Sequence, residues 1–330
     1  MTVLLGEIVN IHRRIDLNAL LEATGLTNPS VLMGADGREV HLVMKKNRYD
    51  RRLIWNGDDR SWHAILGSDG KLRVDHVYAR LTDQLAVIES RPLEVPLLRL
   101  DETIFDTADD VRLFEWNARL WMMGSCLSCQ SARQGDAWRL LDTTTRMFLS
   151  PLDTSLGISP CVLPAFFNRA RFDKNWVAHE RSTGALPLSV DFNRNLWIVF
   201  DRHPTPPVRM PRHDLEWQDG WSGSSNLVEI EQGYIAILHR TVERGPTVYS
   251  HMFVICDRRF RVLRRSVPFT FEGEPVEFCM GLTRNPASRQ ILVSYGVWDE
   301  QARIVTLSEE DAVSLCSHAV DDPRGLYAVP

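Results

Sequence analysis

The stretch VRLFEWNARLWMM, Val111 to Met123, consists of an apolar run, a short polar turn and a second apolar run. The same pattern returns four more times in different residues. The other copies are SVLMGADGREVHLVM (Ser30 to Met44), LSVDFNRNLWIVF (Leu188 to Phe200), NLVEIEQGYIAIL (Asn226 to Leu238) and FCMGLTRNPASRQILVSYG (Phe278 to Gly296). Each run is too short for a helix, is rich in branched and aromatic residues, and is bounded by Gly, Asn, Asp or Pro, which is typical of β-hairpins. The chain therefore repeats one supersecondary unit.

The spacing of these hairpins predicts the fold. Their turns are centred near Asp36, Asn117, Asn193, Gln232 and Pro286. The steps between the turns are about 80, 76, 39 and 54 residues, and a four-stranded blade of about 40 to 50 residues fits once or twice into each step. Radial repetition buries both faces of such sheets and leaves only short edges. We therefore predict an all-β fold in which the whole chain, 1–330, is a single five-bladed β-propeller domain.

Two segments interrupt the strand pattern and predict short flanking helices. Residues 11–24 carry leucines at roughly helical spacing and are followed by Gly25, and Ser308 begins a Ser-Glu-Glu-Asp sequence that resembles a capping box. We expect an N-terminal helical extension within residues 1–27, and a C-terminal helix and tail within residues 308–330.

Composition and charge limit the class of partner. The chain has 330 residues and a formal net charge of -5, which gives no electrostatic reason to expect nucleic acid or an anionic membrane. The N-terminus lacks the basic and apolar regions of a secretory signal, and no apolar run is long enough to span a membrane. We expect a cytoplasmic protein without a cofactor, and the spacing of its His and Cys residues does not indicate a metal site. Homo-oligomerisation stays open.

Polar residues near the ends of the hairpins are the candidate ligand-binding residues. In a propeller the innermost strand of each blade lines an axial funnel, so side chains at or near its start can converge on one ligand. The candidates are Asn28, Asp109, Asp110, Arg112, Lys174, Asn175, Trp176, Ser225, Asn226, His239, His251, Glu277, Tyr295 and Asp299. Few of these residue types are expected at a purely structural axis.

The candidates lie in sequence phrases that, by their order along the chain, resemble those of the glycoside hydrolase family 130 propellers, which include mannoside phosphorylases and related mannosidases. The phrase ADDVRLFEWNARLWM is similar to the Glu-Asp-Pro-Arg hairpin of that family, with Asp109-Asp110-Val111-Arg112 in place of the motif. The other phrases are NPSVL, FDKNW, SGSSNLVEIEQGYIAILHR, VEFCMGL and ILVSYGVWDEQARIV. Tyr295-Gly-Val-Trp-Asp299 stands where the family has Tyr-Gly-Ala-Ala-Asp. The resemblance covers roughly residues 28–307.

The resemblance implies inverting cleavage of a glycosidic bond in a mannose-containing oligosaccharide or glycoside, by phosphorolysis or by hydrolysis. Such a reaction needs an acid for the leaving oxygen and either an activated water or a phosphate on the opposite face of the sugar. The resemblance assigns the acid role to Asp110, acting directly or through a sugar hydroxyl. Inorganic phosphate is the candidate co-substrate, and a phosphate dianion needs cations, for which Arg112, Lys174 and His239 are available. A hydrolase would instead use Glu277 or Asp299 as the base, about 6.5 to 9.5 Å from the acid.

Each candidate residue also has an ordinary structural interpretation. Asp110 could instead cap a turn or pair with Arg112. Lys174 could lie in solvent, and His239 could bond a backbone carbonyl in the core. Trp176 and Trp298 could stack on a sugar or fill the core. The alternative functions are a non-catalytic sugar-binding propeller that works beside polysaccharide metabolism and, less favoured, a protein-interaction propeller, because fold alone does not determine function.

Overall fold

The strands of the chain surround one axis as a β-propeller, which confirms the predicted all-β class with short flanking helices. The computed structural model describes residues 2–47, 50–56, 59–66, 73–95, 98–100, 103–105, 107–134, 137–153, 161–162, 175–191, 196–201, 208–209, 220–243 and 247–319. Among these residues, five sheets have four or more strands, which equals the predicted number of blades. No helix in the described part of the chain is long and apolar enough to cross a membrane.

The N-terminal segment closes the ring instead of forming a helical extension. Its elements are β1 (Val3–Leu4), α1 (Leu5–Ile8), β2 (Arg13–Asp16) and α2 (Leu17–Leu20). The helix predicted over residues 11–24 was wrong, because β2 pairs antiparallel with the strand Gln301–Ser308 near the other end of the chain. The backbone N–H and C=O groups of β2 therefore find their partners in that strand, and not within a helix. Only the single turn of α2 is helical there, capped by Asp16, which accepts from the N–H groups of Asn18 and Ala19.

Blade one and a long hairpin follow. Blade one contains β3 (Leu26–Met33), β4 (Glu39–Asn47), β7 (Val74–Thr82) and β8 (Val87–Leu93), and the hairpin is β5 (Asp50–Asn56) with β6 (Asp59–Leu66). The four blade strands pair as an antiparallel meander in the order β3-β4-β7-β8. The hairpin leaves this blade, and β6 pairs with a strand of the next one.

Blades two and three occupy the middle of the chain. A two-stranded ribbon, β9 (Leu98–Leu100) and β10 (Thr103–Phe105), precedes blade two, which contains β11 (Thr107–Trp116), β12 (Arg119–Gln134), β13 (Ala137–Pro151) and β14 (Cys161–Val162). Blade three contains β15 (Val177–Ala178), β17 (Ala185–Asp191), β18 (Leu196–Asp201) and β19 (Val208–Arg209), and the short strand β16 (Arg181–Ser182) pairs parallel with β11.

Blades four and five complete the ring. Blade four contains β20 (Ser222–Gly223), β21 (Val228–Ile230), β22 (Gly233–Glu243), β23 (Thr247–Cys256), β24 (Val262–Arg265) and β25 (Phe269–Thr270). Blade five contains β26 (Glu277–Arg284), β27 (Gln290–Val297) and β28 (Gln301–Ser308), followed by α3 (Glu309–Leu315) and β29 (His318–Ala319). With β2 added to β28, the N-terminal segment supplies the fourth strand of blade five.

Each turn predicted from the hairpin pattern lies between two strands. One of them, near Asn193, joins a different pair of strands in its blade from the pair that the other turns join. The turns near Asp36, Asn117, Gln232 and Pro286 join the inner strand of blades one, two, four and five to the next strand; in blade four β20 and β21, which both pair with β22, are two segments of the inner strand. Residue Asn193 lies outside the described residues, between β17 and β18, which are the second and third strands of blade three. The equivalent first turn of blade three is at 183–184, and this difference contributes to the uneven steps between the predicted turns.

Side chains and backbone groups of neighbouring inner strands fill the middle of the axis. The hydroxyl of Ser30 accepts from the Leu113 N–H at 2.9 Å, and the Asn226 amide donates to the Leu113 carbonyl at 2.6 Å. The Met33 N–H donates to the Thr283 hydroxyl at 2.7 Å. Because these bonds join blades one, two, four and five across the axis, ligands are expected at its two ends.

Glu309 at the start of α3 provides a test of how the C-terminal helix is attached. Its buried carboxylate accepts from Arg284 Nε at 2.5 Å and from Arg289 Nη2 at 3.1 Å. Burial alone would raise the pKa of Glu309, but the hydrogen bonds from Arg289 and Arg284 outweigh it and lower the pKa below its ordinary value. The stabilisation is therefore present above the ordinary carboxyl pKa and is lost as the pH falls through the lowered value.

We expect Glu309→Gln to lower the free energy of unfolding by about 2 kcal/mol at pH 7, because charge-assisted hydrogen bonds are lost. The difference from wild type should shrink as the pH falls through the lowered pKa of Glu309, because the wild-type carboxylate itself becomes protonated there. Urea unfolding at several pH values measures both effects. Glu310→Gln, at the exposed neighbouring position, is the control; an equal loss in that variant would contradict the explanation.

Candidate active site

The inner strands of blades one and two are both irregular at the same end of the axis. Asn28 and Asp110 have left-handed backbone conformations, with φ of 46° and 48°, and the strand register shifts at each of them. Asn and Asp adopt this conformation more readily than other residues with a side chain. A bulge redirects the side chain out of the regular alternation of the strand. The two irregularities therefore turn two polar side chains towards each other.

These two side chains belong to a compact group that we name the axial cluster: Asn28, Lys45, Asp109, Asp110 and Arg112. The Asn28 amide donates to Asp110 Oδ1 at 3.0 Å. The Lys45 ammonium donates to Asp109 Oδ1 at 2.7 Å and to Asp110 Oδ1 at 3.1 Å, and its side chain is only 4% exposed. One buried cation thus holds two adjacent carboxylates at the start of the inner strand of blade two.

Arg112 supplies the second positive charge of the axial cluster. Its side chain is fully buried, Nε donates to the Ser224 carbonyl at 2.7 Å, and Nη1 donates to the Asp110 carbonyl at 3.3 Å. Among the described residues, Nη2 has no hydrogen-bond partner. Burial lowers the pKa of Arg112 and the Asp110 charge opposes this, but the ordinary value is so high that the group stays charged. The cluster therefore contains a buried cation with an unsatisfied donor.

Sequence reasoning missed Lys45, a member of this cluster, and His76 beside it. The two are paired across β4 and β7. Burial, followed by the charge of Lys45, lowers the pKa of His76 to about 4, so the ring is neutral at pH 7. His76 Nε2 has no hydrogen-bond partner among the described residues, and His76 lines a cavity of about 730 Å³ between blade one and the start of blade two. The available signal was the sequence HLVMKKN, residues 41–47, in which Lys45 and Lys46 directly follow an apolar run within one strand.

Three predicted site residues of blades four and five are occupied by structural bonds. His251 is fully buried and its Nε2 accepts from the Cys279 N–H at 3.2 Å, and burial lowers the pKa of His251 well below its ordinary value. The Tyr295 hydroxyl donates to Glu272 at 2.7 Å, while its ring is buried. These placements differ from the predicted ligand-binding role, because buried polar groups must find partners inside the protein.

Glu277 is the third of these residues. Its buried carboxylate accepts from the N–H groups of Phe271, Glu272 and Glu274 at 2.6 to 2.9 Å. Burial raises the pKa of Glu277 and the three backbone bonds oppose the increase. The carboxylate therefore shapes the connection between blades four and five.

Trp176, Ser225 and Asn226 also serve the interior. Trp176 is 1% exposed and packs in the apolar cluster between blades two and three, so its ring does not face a ligand. The Ser225 hydroxyl donates to the Asn226 carbonyl at 3.0 Å and accepts from the Ile237 N–H at 2.8 Å. Asn226 makes the inter-blade bond to Leu113 described above, which leaves these three side chains inside the wall of the axis.

Of the four further candidates, three are described by the structure, and none of their described contacts establishes a shared site with the axial cluster. His239 is 6% exposed and packs edge-on against Phe278, with ring centres 4.9 Å apart. Asn175 is half-buried with a φ of 66°, just before β15, and Asp299 lies in the turn between β27 and β28 with a φ of 56°. Lys174 lies outside the described residues. The structure therefore brings together Asn28, Asp109, Asp110 and Arg112, and adds Lys45 and His76.

The chemistry of the axial cluster suits polar ligands. Two carboxylates can accept from hydroxyl groups, and Arg112 can donate to an oxygen atom. Within the described residues, no group of three or more His, Cys, Asp or Glu side chains is arranged to hold a metal ion.

Comparison with known proteins identifies the fold. No protein-family model matches the sequence, and no curated protein matches it. The β-1,2-mannobiose phosphorylase from Listeria innocua, solved with β-1,2-mannobiose, superimposes with a TM-score of 0.53 at 12% identity, over 89% of this chain and 92% of that one. A mannose phosphorylase from Leishmania mexicana, solved with a phosphate ion, gives 0.43 at 10% identity over 92% and 90%. At 12% identity, the first similarity shows that the two chains share a fold.

Proposed function

We propose that the chain is a carbohydrate-active enzyme that cleaves a glycosidic bond at the axial cluster, with Asp110 as the acid. The observation that supports this most is the pairing of Asp109 and Asp110 on one buried lysine, with the two carboxylates still 18% and 17% exposed. A carboxyl group on an irregular strand, held by Asn28 and Lys45, is positioned before substrate arrives, as catalytic groups need to be. The Listeria protein with the shared fold is a phosphorylase of β-1,2-mannobiose, which supports a mannoside as the first substrate to try.

The attacking group in this proposal is phosphate or water on the opposite face of the sugar. Arg112 supports phosphate, because a buried guanidinium with an unsatisfied donor is suited to an anionic oxygen. Glu277, one of the two bases that a hydrolase was expected to use, is occupied by three backbone bonds, and the other, Asp299, lies in the turn between β27 and β28. We therefore favour phosphorolysis, with inorganic phosphate as co-substrate.

A second function, sugar binding without cleavage, is favoured by one specific observation. Asp110 Oδ1 already accepts from both Lys45 and Asn28. An ammonium in contact with a carboxylate favours the ionised form, which is a hydrogen-bond acceptor and not an acid. In the catalytic proposal Asp110 must therefore be protonated when the sugar is bound. Its proton then passes to a sugar hydroxyl, that hydroxyl gives its own proton to the leaving oxygen, and the resulting Asp110 carboxylate is stabilised by Lys45 and Asn28.

A panel of manno- and gluco-oligosaccharides, incubated with the protein with and without inorganic phosphate, distinguishes these functions. Release of sugar 1-phosphate only in phosphate supports phosphorolysis, and release of reducing sugar without phosphate supports hydrolysis. Saturable binding without release supports the sugar-binding alternative. Neither release nor binding would contradict both. Asp110→Asn is the matched control, because release by that variant at the wild-type rate would have to come from a contaminating enzyme or from another acid.

A further inference from the structure

A second cavity lies at the opposite end of the axis from the axial cluster. It has a volume of about 630 Å³ and is bounded by the carboxyl ends of β16, β21 and β26. We name it the distal cavity and define it by His179, Arg181, Tyr234, Arg258, Arg284 and Glu309. From Cys279, level with Arg112, to Arg284 the inner strand of blade five advances roughly 17 Å. The distal cavity is therefore separate from the candidate active site, and its volume is typical of a small-molecule site.

The charges in the wall of the distal cavity are balanced. Four arginines and four glutamates contribute to it, and each of the arginines has an acidic partner. The pairs are Arg258–Glu229 at 2.7 Å, Arg284–Glu309 at 2.5 Å, Arg289–Glu309 at 3.1 Å and Arg181–Glu180 at 3.4 Å. An anion would have to compete with a carboxylate for each guanidinium. A neutral ligand with several hydroxyl groups can instead donate to the carboxylates and accept from the guanidinium groups without breaking a pair.

One side of the distal cavity is aromatic and contains an unsatisfied nitrogen. His179 is 8% exposed, and its Nε2 has no hydrogen-bond partner among the described residues. Burial lowers the pKa of His179 to about 4, so the ring is neutral at pH 7. The rings of Tyr234 and Phe260 pack against His179 with centres 4.5 and 5.0 Å away. The combination of an apolar ring surface and a polar group at its edge is suited to one face of a sugar ring.

We propose that the distal cavity binds a short neutral oligosaccharide as a second, non-catalytic site. The ligand class follows from the balanced charges, the unpartnered His179 nitrogen and the half-exposed Tyr234 ring. Glu180, a buried carboxylate in the wall, accepts from Thr283 and ion-pairs with Arg181, so these structural contacts occupy it. The proposal does not rest on cleavage at the axial cluster.

Hydrogen–deuterium exchange on the full chain separates the two sites. The probes are β-1,2-mannobiose, cellotriose and maltotriose, with inorganic phosphate and citrate as anionic probes. We expect at least one sugar to slow exchange in peptides that contain residues 227–234 and 284–289. Protection of residues 26–33 and 109–116 reports the axial cluster independently. If no sugar protects the first set, or if only the anions do, the proposal is wrong, whatever happens at the second set.

Arg258→Gln tests the wall without risk to the fold, because Arg258 and its partner Glu229 are both more than half exposed. We expect this variant to bind the sugar about tenfold more weakly at the distal cavity, a loss of about 1.4 kcal/mol, and to keep the protection at the axial cluster. Arg261→Gln is the matched control, since the pair of Arg261 with Asp257 lies outside the cavity. Tyr234→Ala should abolish distal protection. Unchanged distal binding in both cavity variants would overturn the proposal.

Discussion

Lys45→Met is expected to lower the free energy of unfolding by about 3 kcal/mol and to abolish turnover. Removing one partner of a buried ion pair typically costs about 3 to 5 kcal/mol, because it leaves charge without compensation. Lys45 is 4% exposed, but Asp109 and Asp110 are 18% and 17% exposed, so water relieves part of the penalty and the lower end of the range applies. Methionine fills nearly the same volume, so a cavity adds little to the effect.

Urea unfolding of three variants measures this effect. Lys46→Met changes the neighbouring residue, which is half-buried, and controls for the loss of any lysine from β4. Adding Asp109→Asn to Lys45→Met removes one uncompensated carboxylate and should restore a large part of the lost stability. Equal losses in Lys45→Met and Lys46→Met, or no recovery in the double variant, would show that the Lys45 bonds do not stabilise the cluster.

The blades could be predicted from sequence because hairpins are local. The two apolar strands of a hairpin and turn residues such as Asn117 lie within about a dozen residues of one another, so one short stretch of sequence contains the whole pattern. The N-terminal helix failed for the opposite reason. Residues Arg13–Asp16 become a strand only because β28, almost 290 residues later, offers an edge with which they pair. The spacing of the leucines within residues 11–24 gives no information about a partner so far along the chain, so it favoured the helix.

Residues of the axial cluster could be predicted from sequence only where a suitable residue type stands near the end of an inner strand. Asn28 and Asp110 stand at the irregular ends of inner strands, which the hairpin pattern locates. Lys45 was missed because it lies on the second strand of its blade, and a search restricted to inner strands does not reach it. Glu277 and His251 were included because buried partners of backbone N–H groups have the same residue types as ligand-binding residues. Only the contacts in the structure distinguish a side chain that bonds a buried backbone N–H group from one that is available to a ligand.

Asp110→Asn is expected to reduce kcat by about 10²- to 10⁴-fold while leaving the affinity for sugar nearly unchanged, because general acid catalysis typically contributes that factor. The asparagine keeps an Oδ1 that can accept from Asn28 and Lys45, and it tolerates the φ of 48° at this position. The variant therefore keeps the fold and the shape of the site. It removes the group that exchanges a proton with the sugar, so the loss belongs to kcat and not to KM.

The comparison with Asp109→Asn decides how the acid role is divided between the two carboxylates. Both accept from Lys45, but only Asp110 also accepts from Asn28, and only Asp110 has the left-handed backbone that turns its side chain from the strand. Steady-state kinetics on the oligosaccharide and phosphate should therefore show the larger loss of kcat for Asp110→Asn, with circular dichroism confirming that both variants are folded. If Asp109→Asn lost as much kcat, the pair would act as a unit. Wild-type kcat in Asp110→Asn would remove Asp110 from the mechanism and leave Asp109 as the acid to test next.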